Sequence, residues 1–349
     1  MNAREDKSSE DYGRISQVKN RNTEFIKLDQ PRLIGSLMAG FHSVANHAWV
    51  ILIPMVVDLI LWFSPRLKIG ILIWPTFENA LKQSQQISGD NGNTIALMGD
   101  YLKTLVETFN LSGAIRSYPI GVPSLLAGMG SIQSPLGEIV SIQIGSFKTA
   151  FMLFLGLSIL GFLLGNIFFH QIAGITRDVN SENVLRPLIW KIWQSFILTV
   201  SLVILAVLVL IPGSLIISLL SLINPWLGHL GFFLYLFLIF WFAVPWFYSF
   251  HGIYVYGFSA LKSTLFSLRA GRIFISKTAT LILLILVISQ GMNILWMTPS
   301  STSWLLLLGI FGHAIVSAGL LSATVIYYRQ INVTLAMLVA LQQKESNTA

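Results

Sequence analysis

The chain has 349 residues, 54% hydrophobic and only 11% charged, with a net charge of +7 and a mean hydropathy of +0.72. Ordinary soluble domains carry about 25% charged residues, and so few polar side chains cannot cover a globule this apolar. The numbers exclude a soluble enzyme and a disordered tail, and the absence of Cys excludes a disulfide scaffold, a thiolate metal site and thiol catalysis. The class left is an all-α polytopic membrane protein.

Residues 1–29 are polar, and the first 32 hold seven basic and six acidic residues. They predict a disordered cytoplasmic tail rather than a signal peptide, which needs an apolar region close behind a short basic start. Asp29-Gln30-Pro31 reads as a helix start, and Leu33, Leu37, Phe41, Val44 and Ala48 recur at spacings of three or four. Residues 30–44 therefore predict an interfacial helix leading into a first span at 45–63. Residues 64–148 predict an extracytoplasmic, mostly helical insertion. Thr76–Ile87 is weakly amphipathic, with Glu78 and Lys82 one turn apart. Thr94–Leu111 places Ile95, Met98, Leu102, Leu105 and Phe109 on one stripe. Residues 113–145 are broken by Pro and Gly and are too apolar for an ordinary solvated loop. The five-span bundle follows over 149–328, with spans at 149–170, 192–217, 226–248, 278–296 and 304–328. Residues 329–349 form the second cytoplasmic tail.

Basic residues set the orientation. With both ends inside, the two tails and the loops at 171–191 and 257–277 hold 16 of the 22 Lys and Arg, and the short outer turns hold none. The expected location is the plasma (inner) membrane. The basic excess is thus explained by membrane topology and anionic lipid, and no nucleic-acid partner is expected.

Four polar residues at membrane depth suggest a ligand or ion path: Asp58, Gln290, Asn293 and His313. A carboxylate at mid-membrane costs about 2.5–3.5 kcal/mol on insertion scales, so Asp58 must face protein or water. It is either a proton or cation site or a contact to headgroups or a neighbouring helix. His313 either titrates near neutrality or bonds across a helix interface. Gln290 and Asn293 reach Asp58 or His313 by depth alone.

The stretch 226–258 holds 15 aromatic residues in 33. They either wall an apolar ligand or form lipid-facing belts, and the segment is long enough to require a break near Pro245 or Gly252. Gly161 and Gly165, and Ala314, Ala318 and Ser322, mark close packing. Residues 257–277 carry Lys262, Arg269 and Arg272 beside Leu261, Leu265 and Leu268. That pattern suits a helix on anionic headgroups or one that contacts a partner subunit. No P-loop, GxSxG, HExxH or paired carboxylates at depth occur, so no catalytic residue, metal or cofactor is expected.

The stretches HAWVILIPMVVDLILWFSPRL, GVPSLLAG and ALKSTLFSLRAGR resemble a group of prokaryotic six-span integral membrane proteins. These are similar in layout to the membrane domain associated with glycerophosphodiester phosphodiesterases. The resemblance implies six spans, a bacterial plasma membrane and contact with lipids or envelope assembly. The phosphodiesterase catalytic domain and its acidic metal ligands have no counterpart in the chain. The combined expectation is a non-enzymatic protein that handles or senses lipid or supports envelope assembly. Its partners would be membrane lipids and other membrane subunits. The alternative is a transporter or permease subunit.

Overall fold

A computed structural model describes residues 18–19, 25–26, 31–87, 92–117, 119–128, 133–177 and 187–348. Apart from an antiparallel pairing of Val18–Lys19 with Phe25–Ile26, the N-terminal tail lies outside the described residues. The fold is all-α and polytopic. Its helices are α1 (Leu33–Asn46), α2 (Leu52–Phe63), α3 (Gly70–Ile87), α4 (Gly92–Thr108), α5 (Phe147–Ile175), α6 (Leu188–Ile223), α7 (Pro225–Trp246), α8 (Ser249–Tyr256), α9 (Ala260–Ile273), α10 (Ile275–Trp296) and α11 (Leu306–Thr348).

Among the described residues, five helices are long and apolar enough to cross a membrane: α5, α6, α7 continued by α8, α10 and α11. A sixth crossing exists only if α1 and the Ala48–Phe63 stretch count as one span, and these two are bent by 94° at their junction. A 3₁₀ turn at Ala48–Ile51 makes the bend. Helix α1 covers most of the stretch 30–44. Its buried face is Ser36, Gly40 and Val44, and it lies along α11. A Cβ on Gly40 would come within 2.6 Å of the Gly319 carbonyl oxygen, so the two helices approach at backbone distance. Small residues permit that approach, and backbone-distance packing is what holds helices together where lipid competes for every Leu. Ile34 and Met38 point outward.

The break predicted near Pro245 falls at Phe247–Tyr248, between α7 and α8. Asn224 caps α7, its side chain accepting from Trp226 N, with Pro225 in the first helical position. The final tail is not separate: α11 continues unbroken through 329 to Thr348.

Outside the long helices, α3 and α4 form a hairpin. The face of α4 that meets α3 is Gly99 and Val106, where Gly99 lies against Leu81 and Val106 against Gly70. Of the apolar stripe read over 94–111, Met98, Leu105 and Phe109 are exposed, as are the neighbouring Leu97 and Tyr101. A short parallel pairing of Arg66–Lys68 with Ser141–Gln143 closes the base of the 64–148 region.

The middle of that region does not stand apart from the bundle. Leu111, Ile115, Ile120, Val122, Leu125 and Leu126 are all buried, and Ile120 joins the core formed by Phe168, Phe169, Ile253, Ala314 and Ala318. The boundary drawn at 148 therefore cuts through a packed unit: residues 111–127 descend into the helices and return.

Candidate functional site

The descent of 111–127 is recorded on α5. A Cβ on Gly161 would lie 1.8 Å from the Ile115 carbonyl oxygen, and one on Gly165 would lie 2.6 Å from Gly121 Cα. At about 1.5 Å per residue, Gly165 is roughly 27 Å along α5 from its start at Phe147. The loop therefore packs against α5 more than halfway along that apolar helix. The spacing of four read as a packing signal thus receives a re-entrant segment rather than another helix. Irregular backbone at this depth is tolerated only where it is buried in protein or lines a cavity.

Asp58 holds the returning limb. It is fully buried on α2, and its carboxylate accepts from Ser124 Oγ at 2.5 Å, Leu125 N at 3.0 Å and Leu126 N at 3.1 Å. Ser124 Oγ in turn accepts from Ala127 N at 3.0 Å. The arrangement copies a helix N-cap, with an acceptor meeting successive amides of a turn. Arg116 on the descending limb is within electrostatic reach of the carboxylate. Three donors and a nearby guanidinium offset the cost of placing the charge at this depth. Above it, Trp62 Nε1 donates to the Gln133 and Ser301 carbonyls at 3.1 and 3.0 Å, strapping 133 to the α10–α11 turn.

The other polar residues at depth divide. His313 Nδ1 lies 2.9 Å from Asn293 Oδ1, and Ser317 Oγ lies 3.3 Å from His313 Nε2. The amide oxygen can only accept, so Nδ1 carries the proton and Nε2 accepts from Ser317. Gln290 is exposed and makes no hydrogen bond to this pair. Asp58 is engaged by 124–126 rather than by either. The four residues thus occupy three separate settings. Among the described residues, no group of three His, Asp or Glu could hold a metal.

A large cavity adjoins the re-entrant segment. It has a volume of about 1100 Å³ and lies between residues 116–123, α5, the α6–α7 pair, α10 and α11. Its walls are mostly Leu, Ile, Val and aromatic side chains. Polar groups are few: Arg116 and Ser117 on the loop, Tyr235 on α7, Ser289 and Ser317 farther in, and the His251–Thr324 pair joined at 2.8 Å. An apolar hollow with a small number of placed polar groups is the usual form of a small-molecule site, and this one is at the upper end of the size range. The aromatic stretch divides between the cavity and the outer surface. Tyr235, Trp246, Phe247 and Phe250 line the cavity, whereas Trp226, Phe233, Phe237 and Trp241 are exposed on the outside of α7.

Behind the cavity sits a buried polar chain. Tyr254 OH donates to Asn166 Oδ1, Ser195 Oγ donates to Tyr254 OH at 3.0 Å, and Lys191 Nζ donates to the Tyr254 carbonyl at 3.1 Å. It ties α5, α6 and α8 together at one end of the bundle. Sequence reasoning had no local signal for it, because its bonded pairs lie 59 to 88 residues apart.

The helix carrying Lys262, Arg269 and Arg272, α9, is seated by its small residues instead of its leucines. Ser263 Oγ donates to the Ser249 carbonyl at 2.5 Å and Ser267 Oγ to the Pro245 carbonyl at 2.7 Å. Those two carbonyls flank the α7–α8 break, where helical hydrogen bonding is interrupted. Leu261, Leu265 and the three basic residues therefore share the exposed face.

Compared with known proteins, the chain matches no family model, no curated protein and no solved structure.

Proposed function

We propose that this chain is a non-enzymatic integral protein of a plasma membrane that takes a lipid chain, or another long apolar molecule, into the cavity beside the re-entrant segment. The observation that carries the reading is the cavity itself, about 1100 Å³ of mostly apolar space at membrane depth, edged by Arg116 and Ser117. A lipid tail suits the walls, and a charged or hydrogen-bonding headgroup suits the edge. The exposed Leu97, Met98 and Tyr101 on α4, and the leucines and basic residues of α9, support contact with lipid or a partner on both sides of the membrane. The distribution of basic residues supports an orientation with both chain ends in the cytoplasm.

The transporter reading gains no comparable support. Asp58 is fully engaged in holding 124–126, and Gln290 lies apart from Asn293 and His313.

The test is lipid retention. Protein purified in mild detergent is extracted, and bound lipid is quantified by mass spectrometry beside an Ala206→Trp variant that fills the cavity wall. The reading predicts a defined lipid retained by the parent and lost from the variant. Equal retention by both, or no retention by either, contradicts it.

A further inference from the structure

A second cavity, of about 580 Å³, opens where α1, the end of α5 and the later part of α11 meet. It is lined by different residues from the first one in both long helices that the two share. On α11 the first is lined up to Thr324, while this one runs from Ile326 to Met337. Three guanidinium groups line it from three separate stretches of chain: Arg32 just before α1, Arg177 just after α5 and Arg329 on α11. Among the described residues that line it there is no carboxylate. On the same face of α11 as Arg329, Ile326, Val333 and Met337 add apolar lining.

The level of the cavity is fixed by the helices. Gln330, in its lining, is 24 residues beyond Leu306, or about 36 Å along α11, which is past a hydrocarbon core of about 30 Å. Arg177 follows the last residue of the α5 span. By this measure the arginines stand at headgroup depth, with Ile326 one turn nearer the acyl chains. The positive field extends inward. Arg177 is within electrostatic reach of Lys191 and His170, and Lys191 is 4% exposed. The Gln330 side-chain oxygen is already occupied, accepting from Arg32 N at 2.9 Å and from Ser36 Oγ at 3.3 Å. Arg32 is thus held at the rim by its backbone.

We infer that this cavity binds a phosphate group, and that the group belongs to the headgroup of an anionic glycerolipid in the leaflet at this end of the bundle. Arginine forks match phosphate oxygens in pairs, and basic pockets between spans at the membrane interface suit such headgroups. A free phosphate would use the arginines alone, whereas a glycerolipid would also meet Ile326 on its acyl side. The site is separate from the lipid cavity proposed above and does not depend on it.

The test uses the full chain in nanodiscs of phosphatidylcholine with a minority of phosphatidylglycerol. Retained lipid is counted by native mass spectrometry after release from the disc. The double variant Arg32→Gln/Arg177→Gln leaves in place the Arg329 Nη2 bond to the Ala173 carbonyl (3.1 Å), which ties α11 to α5. It is expected to lower phosphatidylglycerol retention about tenfold. The control Lys82→Gln/Lys103→Gln removes the same charge from the α3–α4 hairpin and is expected to change nothing. Retention unaffected by millimolar inorganic phosphate supports the lipid as the source. Displacement of the lipid by phosphate keeps the phosphate chemistry and overturns the lipid assignment. Equal retention by Arg32→Gln/Arg177→Gln and the parent, or equal loss in the hairpin control, overturns the site. A cavity-filling variant at Ala206 is expected to leave this retention unchanged, so failure here and failure of the reading above are separately visible.

Discussion

The two longest helices of the bundle have opposite surroundings. The apolar window of α11 is 61% buried within the protein, and that of α6 is 0% buried. Hydropathy does not tell them apart in that direction, since α6 is the more apolar of the two, at 2.9 against 1.9. What differs is side-chain size. The α11 face that packs is built from Ala314, Ala318, Ser322 and Ala323, with Gly319 meeting α1, and these admit neighbouring backbone. The middle of α6 is a run of branched aliphatics, with Val203, Ile204, Val207, Leu208 and Ile211 all exposed. Lipid is as good a neighbour as protein for such residues. On these two helices the small residues of α11 admit close packing, and the branched aliphatic middle of α6 is left on the outside.

The comparison can be strained at several points. The largest effect is expected at Asp58, on the packed side. Asp58→Ala removes the acceptor for three donors and leaves them, with Arg116, at membrane depth. A loss of about 3–5 kcal/mol is expected, seen as a steep fall in thermal midpoint or in folded yield in detergent. A midpoint within a degree of the parent would show that 124–126 needs no anchor. Next comes Gly165→Val, where the loop backbone fills the space a side chain needs. About 1–3 kcal/mol of destabilisation is expected, while Gly156→Ala, with nothing within 4 Å, is expected to be neutral. If both behave alike in a melting experiment, α5 does not carry the loop. On the lipid side, Leu208→Ala is expected to cost less than about 0.5 kcal/mol, because lipid refills the space. A cost of the size seen for buried leucines would mean that a partner covers α6.

The smallest effect lies in the water-exposed hairpin. Lys82 Nζ is 2.8 Å from Glu78 Oε1, and this hydrogen-bonded pair holds the Glu78 carboxyl below its ordinary value of 4.5. A depressed carboxylate contributes stability above its unfolded pKa and loses it as pH falls through the folded one. Carboxyl NMR should show Glu78 titrating below 4.5, and Lys82→Gln should return it toward that value. No movement in Lys82→Gln would mean the pair does not form in solution.

Much of the fold is legible in the residues and much of the site is not, for physical reasons. Long apolar runs mark α5, α6, α7, α10 and α11 because a bilayer fixes the length required. The α1–α2 segment is harder. Its apolar stripe reads as interfacial, but the contact it makes uses Ser36 and Gly40, which carry no hydropathy signal. The re-entrant loop is foreshadowed by the Pro and Gly of GVPSLLAG and by the glycine pair on α5. Nothing local connects the two. Asp58 is conspicuous as a charge in a span, yet its partner Ser124 is 66 residues away and no periodicity spans that distance. His313 and Asn293 could be matched by depth because both sit on helices joined by a short turn. Arg116 and the cavity it edges have no sequence signature at all, since the hollow exists only between elements.

The central claim is that hydrocarbon, and not water, meets the face of the re-entrant loop that looks into the cavity. Pro119 lies on that face and is exposed there. The chain has no cysteine, so a single Pro119→Cys variant can carry one fluorophore without competing labels. In vesicles, mid-chain brominated lipids should quench that probe strongly and aqueous iodide should not, while a probe at the exposed Gln83 on α3 should respond to iodide. Quenching at position 119 by iodide alone would contradict the account.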